Sequence, residues 1–313
     1  MTRQRRPALL QLQAFTPALE AALEARYAVH RLFADDPSDS GLARIAPSIR
    51  AVVTGAGKGM PAWLWSRLPA LEIIAVHGVG LDAIDLDLAA RRKVAVTTTP
   101  GVLAEDVAEL AVALWLALKR QLPAADRYVR EGLWPAGPPL PLTRRASGAR
   151  VGILGMGAIG QAVARLAAPF ASSVAYHARR PVSSPHQYVA SAAELARQVD
   201  ALFVAVSGGA DTTKLVDRTI LAALGSDGVL INVSRGSVVD ERALIEALNQ
   251  GTIAGAALDV FDDEPRVPTG LRGSERVVLS PHRGSATQEA RLGMAERVLE
   301  ALEKHFSPPE PRP

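Results

Sequence analysis

Cysteine is missing from all 313 residues. Disulfides, thiolate zinc sites, cysteine nucleophiles and cysteine-ligated iron–sulfur clusters are thereby excluded, and nothing points to an oxidising compartment. A charge excess is missing too. The 35 basic residues face 32 acidic ones, a formal net charge of +3, which argues against a general nucleic-acid surface. No stretch reaches the roughly 18 uninterrupted apolar residues of a membrane span. The basic start, Met1-Thr2-Arg3-Gln4-Arg5-Arg6-Pro7, is followed by only a short apolar stretch before Gln11 and Gln13, so a secretory signal is not expected. No His/Asp/Glu cluster offers a metal site. Neither a solenoid period nor a low-complexity tract is present, apart from a proline-rich tail at 307–313 that is expected to fray. These absences lead to the expectation of a cytoplasmic protein with no metal, nucleic-acid or membrane partner.

What is there suits an enzyme of two domains. Hydrophobic residues make up 48% and charged residues 21%, which is ordinary for a chain with a real core. Over the first hundred residues, short apolar runs at 8–12, 51–54, 73–76 and 94–97 read as strands. Residues 17–26 read as a helix, and together they make a small open α/β sheet. Residues 105–119 predict a helix whose stretch from Leu110 to Leu118 is entirely apolar, so it is expected to be buried on every side, by a second domain or another subunit. Four prolines between Trp134 and Leu142 mark an ordered loop. From Ala149 onwards, buried-strand candidates recur at 151–154, 174–176, 202–206, 229–233, 255–258 and 277–279. Apolar runs instead of alternation predict parallel strands covered on both faces.

The first of these strands runs into Gly155-Met156-Gly157-Ala158-Ile159-Gly160 and then a helix. This strand–GxGxxG–helix–strand context predicts a dinucleotide site. Gly155 permits the tight turn, Gly157 lets backbone approach a pyrophosphate, Gly160 allows close packing, and the helix start at Ala158 and Ile159 offers unpaired N–H groups. An NAD site places a carboxylate at the end of the next strand. Here the sequence is His177-Ala178-Arg179-Arg180, with no acid to repel a 2′-phosphate and two guanidinium groups able to bind one. NADP(H) is therefore the expected cofactor, with NAD(H) possible.

Three polar residues follow three successive strands: Arg235, Glu264 and His282. Around them the motifs His77-Gly78-Val79-Gly80-Leu81-Asp82, Thr99-Pro100-Gly101-Val102, Asn232-Val233-Ser234-Arg235-Gly236, Leu258-Asp259-Val260-Phe261-Asp262-Asp263-Glu264-Pro265 and Ser280-Pro281-His282-Arg283-Gly284-Ser285 appear in order. On these segments and the GxGxxG, the chain resembles the D-isomer-specific 2-hydroxyacid dehydrogenases, and most closely their glyoxylate/hydroxypyruvate reductase branch. The resemblance implies two Rossmann-like or flavodoxin-like α/β domains with parallel sheets and a cleft between them. Residues 1–98 with 287–313 would form the substrate domain and 99–286 the dinucleotide domain, with hinge closure excluding water. It implies that Arg235 binds the carboxylate and carbonyl of a small 2-keto acid, and that His282 is the general acid. Glu264 would fix the tautomer of His282 and favour its charged form. Val79 and Gly80 would give N–H groups to the substrate carboxylate. Asp259 would bind the nicotinamide carboxamide, and Val233 and Gly284 count among the cofactor contacts. His77 reads as a satisfied structural histidine. Trp134 reads either as an arm residue closing a partner's site or as a packing residue at the domain junction, and the apolar helix points to a homodimer.

Other readings are weighed against this one. An NAD-dependent hydroxy-acid or phosphoglycerate dehydrogenase is disfavoured by the missing carboxylate near His177 and by the lack of room for a regulatory domain. A formate dehydrogenase would lack Glu264. A dinucleotide-sensing corepressor would be expected to carry a long disordered extension for recruiting partners.

Overall fold

The computed structural model describes residues 6–33 and 40–307. They fall into two compact units, one made of Met1–Leu103 with Thr287–Pro313 and the other of Ala104–Ala286. The fraying expected at 308–313 lies outside the described residues.

The first unit is built on β1 (Ala8–Gln11), β2 (Ala28–Arg31), β3 (Ile49–Gly55), β4 (Ile73–His77) and β5 (Ala95–Thr97). All four neighbouring pairs are parallel, in the order β2-β1-β3-β4-β5. Both faces are covered. Leu10, Val52, Ile74 and Val76 pack with Leu64, Trp65 and Leu68 in one core cluster. Leu9, Ala51, Val53, Ile73 and Ala75 pack in another with Leu19 and Leu23 from the helix Pro17–Arg26 and with Ala295, Val298 and Leu302 from the helix Gln288–Phe306. Each helix is started by a threonine cap. Thr16 Oγ1 accepts from Leu19 N–H and Thr287 Oγ1 from Ala290 N–H, contacts typically worth about 1 kcal/mol each.

The second unit holds β6 (Ala149–Leu154), β7 (Ala171–His177), β8 (Gln187–Tyr188), β9 (Ala201–Val204), β10 (Val229–Asn232), β11 (Gly255–Leu258) and β12 (Val277–Leu279). Again every pair is parallel, in the order β12-β11-β10-β9-β6-β7-β8. The chain reverses its direction of travel across the sheet at β6, which pairs with β7 on one side and β9 on the other. Open α/β sheets bind their ligands at the carboxyl ends of strands beside such a switch point.

The structure refines three sequence expectations within this chain. The first unit extends to Leu103 instead of 98, because Thr99 ties that segment to the first sheet: its N–H donates to the Gly78 carbonyl at 2.9 Å and its Oγ1 accepts from Gly78 N–H at 3.1 Å. The apolar helix Ala104–Lys119 is not covered all round. Val107, Ala108, Ala111, Val112, Leu114 and Trp115 are buried, but Ala113 is exposed and Leu110, Leu116 and Leu118 are only half-buried, since one face of the helix rests on the second sheet and on the helix Ala158–Ala167. The large exposed apolar residues come next, in 122–142, where Leu122, Val129, Leu133, Trp134, Leu140 and Leu142 lie open and Trp134 is 75% exposed. Trp134 is therefore no packing residue within this chain.

Candidate active site

The glycine turn is built for a phosphate. Leaving β6, Gly155 donates its N–H to the His177 carbonyl at 2.8 Å, and Ala205 donates to the Leu154 carbonyl at 2.8 Å, so the turn is wedged between the ends of β7 and β9. Gly155 stands at φ +94°, and a Cβ there would meet the Ala205 carbonyl oxygen at 2.7 Å. A Cβ on Gly160 would overlap the Gly155 carbonyl, whereas one on Gly157 would meet nothing within 4 Å. Two glycines are thus forced by backbone approach, and the third leaves open space at the start of the helix Ala158–Ala167, where Ala158 and Ile159 begin the run of unpaired N–H groups. A dinucleotide pyrophosphate fits this cradle.

At the end of β7, His177 is half-buried, its Nδ1 2.9 Å from the Val189 carbonyl oxygen and its ring stacked on Tyr188. Arg179 and Arg180 follow, both exposed. No acidic side chain stands between His177 and Arg180. Val233 is buried at the end of β10.

On the other arm of the sheet, β10, β11 and β12 are consecutive neighbours and their C-terminal ends carry the three polar residues in order. Arg235 follows β10 in a turn held by Asn232. The Asn232 Nδ2 donates to the Arg235 carbonyl at 3.0 Å, and its Oδ1 accepts from Ser234 N–H at 3.1 Å and Ser234 Oγ at 3.0 Å. Glu264 follows β11. Its Oε1 accepts the Phe261 N–H at 3.0 Å, and its Oε2 lies 2.7 Å from His282 Nδ1. Burial pushes the Glu264 pKa up, but the hydrogen bonds from His282 and Phe261, with the charges of His282 and Arg235, outweigh it and leave it lowered. The carboxylate is therefore ionised at neutral pH and accepts the Nδ1 proton, which leaves Nε2 of His282 as the ring atom available to a substrate. Phe261, Pro265, Val267, Leu279 and Pro281 surround the pair with apolar surface.

His282 stands at φ +51°, a left-handed conformation that costs a non-glycine residue on the order of 1 kcal/mol or more. Asp259 holds it there. The Asp259 carbonyl accepts the His282 N–H at 2.8 Å. Its carboxylate, 1% exposed, accepts Ser280 Oγ at 2.5 Å, Arg283 N–H at 2.7 Å and Gly284 N–H at 2.8 Å. Ser280 and Asn232 were not among the residues expected from sequence. The signal for both was a small polar residue at the buried end of an apolar strand, where an unpaired polar group would be costly.

In the first unit, Val79 and Gly80 lie just beyond the C-terminal end of β4, with Val79 39% exposed. His77, the last residue of β4, is 5% exposed, its ring 5.1 Å from that of Phe15. Neither of its ring nitrogens has a hydrogen-bond partner among the described residues. It is buried as expected. Burial, and then the charge of Arg291, push its pKa down to about 4.

Comparison with known proteins gives one consistent result. Residues 112–284 match the family model described as D-isomer specific 2-hydroxyacid dehydrogenase, NAD binding domain. Over 291 residues the chain is 46% identical to glyoxylate/hydroxypyruvate reductase A of Arabidopsis thaliana, covering 92% of each. Over 305 residues it is 42% identical to the 2-ketogluconate reductase of Gluconobacter oxydans, covering 96% of each. Among solved structures, the NADPH-dependent glyoxylate/hydroxypyruvate reductase of Sinorhizobium meliloti, in complex with NADP and malonate, superposes with a TM-score of 0.91 at 39% identity, covering 96% of this chain and 94% of that one.

Proposed function

Because the chain belongs to the family of D-isomer-specific 2-hydroxyacid dehydrogenases, we propose that it is an NADP(H)-preferring reductase of small 2-keto acids of the glyoxylate and hydroxypyruvate type, forming D-2-hydroxy acids. The observation that carries this reading is the His282–Glu264 hydrogen bond of 2.7 Å on the same sheet edge as the glycine cradle. Relatives that reduce glyoxylate, hydroxypyruvate and 2-ketogluconate support it.

In this reading the reduced nicotinamide supplies a hydride to the carbonyl carbon. Gly155, Gly157, Ala158, Ile159 and Gly160 hold its pyrophosphate, while His177, Arg179 and Arg180 receive the adenosine end. The two guanidinium groups bind a 2′-phosphate by charge-assisted hydrogen bonds. Val233 and Gly284 lie along the nicotinamide side. Asp259 Oδ2 accepts one hydrogen bond, from Gly284, and retains acceptor capacity for a carboxamide N–H. Arg235 pairs with the keto-acid carboxylate and polarises the carbonyl. His282 Nε2 gives a proton to the carbonyl oxygen as negative charge develops there, and takes it back in the oxidative direction.

We further propose a homodimer acting in the cytoplasm. The exposed apolar side chains of 122–142, on and beyond a helix Leu122–Arg130 with no buried residue, support the dimer. The absence of cysteine gives no sign of an oxidising compartment. None of the described helices is long and apolar enough to cross a membrane.

The test is absorbance at the reduced-nicotinamide band with glyoxylate, hydroxypyruvate, pyruvate, an aryl pyruvate and 2-ketogluconate, each with NADPH and NADH. Turnover of glyoxylate or hydroxypyruvate, with higher kcat/KM for NADPH than for NADH, is the expected result. No turnover of any keto acid would sink the reading, and equal efficiency with both cofactors would sink the preference.

A further inference from the structure

Outside the pair just described, the second unit holds one carboxylate in a position that its own helix does not require. Glu241 opens the helix Glu241–Gln250, directly after Asp240. Asp240 already caps that helix by accepting the Ala243 N–H at 3.1 Å. Glu241 is left over for another partner, and it accepts the backbone N–H of Asp262 at 2.9 Å.

Asp262 lies in the turn that carries Glu264. In that turn the Phe261 N–H goes to Glu264 Oε1 at 3.0 Å, and Glu264 Oε2 meets His282 Nδ1 at 2.7 Å. The same turn is also fixed by backbone contact. A Cβ on Gly236, the residue after Arg235, would overlap the Phe261 carbonyl and the Asp262 nitrogen. The stretch from Phe261 to Glu264 is therefore fixed at two points, by close backbone contact with Gly236 and by the hydrogen bond of the Asp262 N–H to the Glu241 carboxylate.

The position is an expensive one for a charge. Burial pushes the Glu241 pKa up, and the charges of Asp262, Asp263 and Glu264 push in the same direction, against the hydrogen bond from Asp262.

We propose that Glu241 is a positioning residue for keto-acid reduction: by accepting the Asp262 N–H it holds the Glu264 turn against Gly236, and so sets the hydrogen bond from Glu264 to His282. This rests on the reading that His282 moves the substrate proton. If Glu241 only pins a helix to a loop, its loss changes thermal stability and leaves turnover alone.

Three variants of the full chain separate these cases: Glu241→Gln, Glu241→Asp and Glu241→Ala. Glutamine keeps an acceptor oxygen at the same reach, and aspartate keeps the charge but falls one methylene short. With NADPH and whichever of glyoxylate or hydroxypyruvate the wild type reduces faster, Asp and Ala are expected to lower kcat about tenfold, the effect of one misplaced charge-assisted hydrogen bond. Gln should stay within about threefold of wild type. KM for NADPH should move less than about twofold in all three, because the glycine cradle is untouched. Retention of wild-type kcat in Asp, or a loss in Gln equal to that in Asp, would overturn the proposal. If Ala does not fold, the Gln and Asp pair decides alone. Failure of the wild type to reduce any keto acid would remove both this proposal and the functional reading, whereas an active wild type with unchanged variants would remove only this one.

Discussion

Acidification is expected to loosen the first unit through His77. The imidazole is 5% exposed, and its nitrogens have no partner among the described residues. Protonating it in place would put a charge into an apolar setting near the charge of Arg291. Its pKa stands at about 4 in the folded protein against an ordinary 6.5. The sign follows directly. Above 6.5 the ring is neutral in both folded and unfolded chains, and the stability is intact. Between 6.5 and about 4 the unfolded chain takes up a proton that the folded chain refuses, so stability falls as pH falls. A gap of about 2.5 units at about 1.4 kcal/mol per unit gives a loss of about 3.5 kcal/mol, complete only below pH 4. His77→Leu removes the titration and keeps a side chain of similar volume. Urea unfolding of both proteins, from about pH 7.5 down to about pH 4.5, isolates the term, because every other titrating group is common to the two. Wild type should lose stability relative to the variant, starting below pH 6.5. Parallel profiles for the two proteins would refute the reasoning.

Two further perturbations address the second unit. Ser280→Ala removes the 2.5 Å hydrogen bond to Asp259 and leaves a buried carboxylate short of one donor. It should cost about 1–3 kcal/mol of stability and, by relaxing His282 from φ +51°, lower kcat about tenfold. Calorimetry and steady-state kinetics check the two effects, and an unchanged kcat would show that the strained backbone at His282 does not depend on this clamp. Replacing both Arg179 and Arg180 by serine should raise the Kd for NADPH about tenfold or more and leave that for NADH nearly unchanged. Fluorescence titration measures both, and an equal loss for the two cofactors would locate the 2′-phosphate elsewhere.

The elements most legible in the sequence were those whose physics is local. The strands of the second unit are apolar runs because parallel strands are covered on both faces, and six of the seven could be placed. The seventh, β8, is the two-residue edge strand Gln187–Tyr188, too short to carry a pattern. In the first unit β2 escaped for a related reason: Ala28-Val29-His30-Arg31 is an edge strand with no fully buried residue. The three glycines of the cofactor turn were readable as a spaced motif between a strand and a helix, and two of them, Gly155 and Gly160, are forced by backbone approach. The candidate acid/base pair was visible as residue types at strand ends. Its support was not. The hydrogen bonds that Asn232, Asp259 and Glu241 make with backbone groups, and the one that Ser280 donates to Asp259, depend on where loops cross in space, and a side chain that serves a backbone group leaves no spacing rule behind.

In the proposed reaction His282, held through Nδ1 by Glu264, delivers the proton that completes reduction of a 2-keto acid. The direct measurement is turnover of His282→Gln with NADPH and glyoxylate or hydroxypyruvate, alongside NADPH affinity by fluorescence. Turnover should fall by a factor of about 10² to 10⁴, with the Kd for NADPH within about twofold of wild type. Near-normal turnover in that variant would contradict the account.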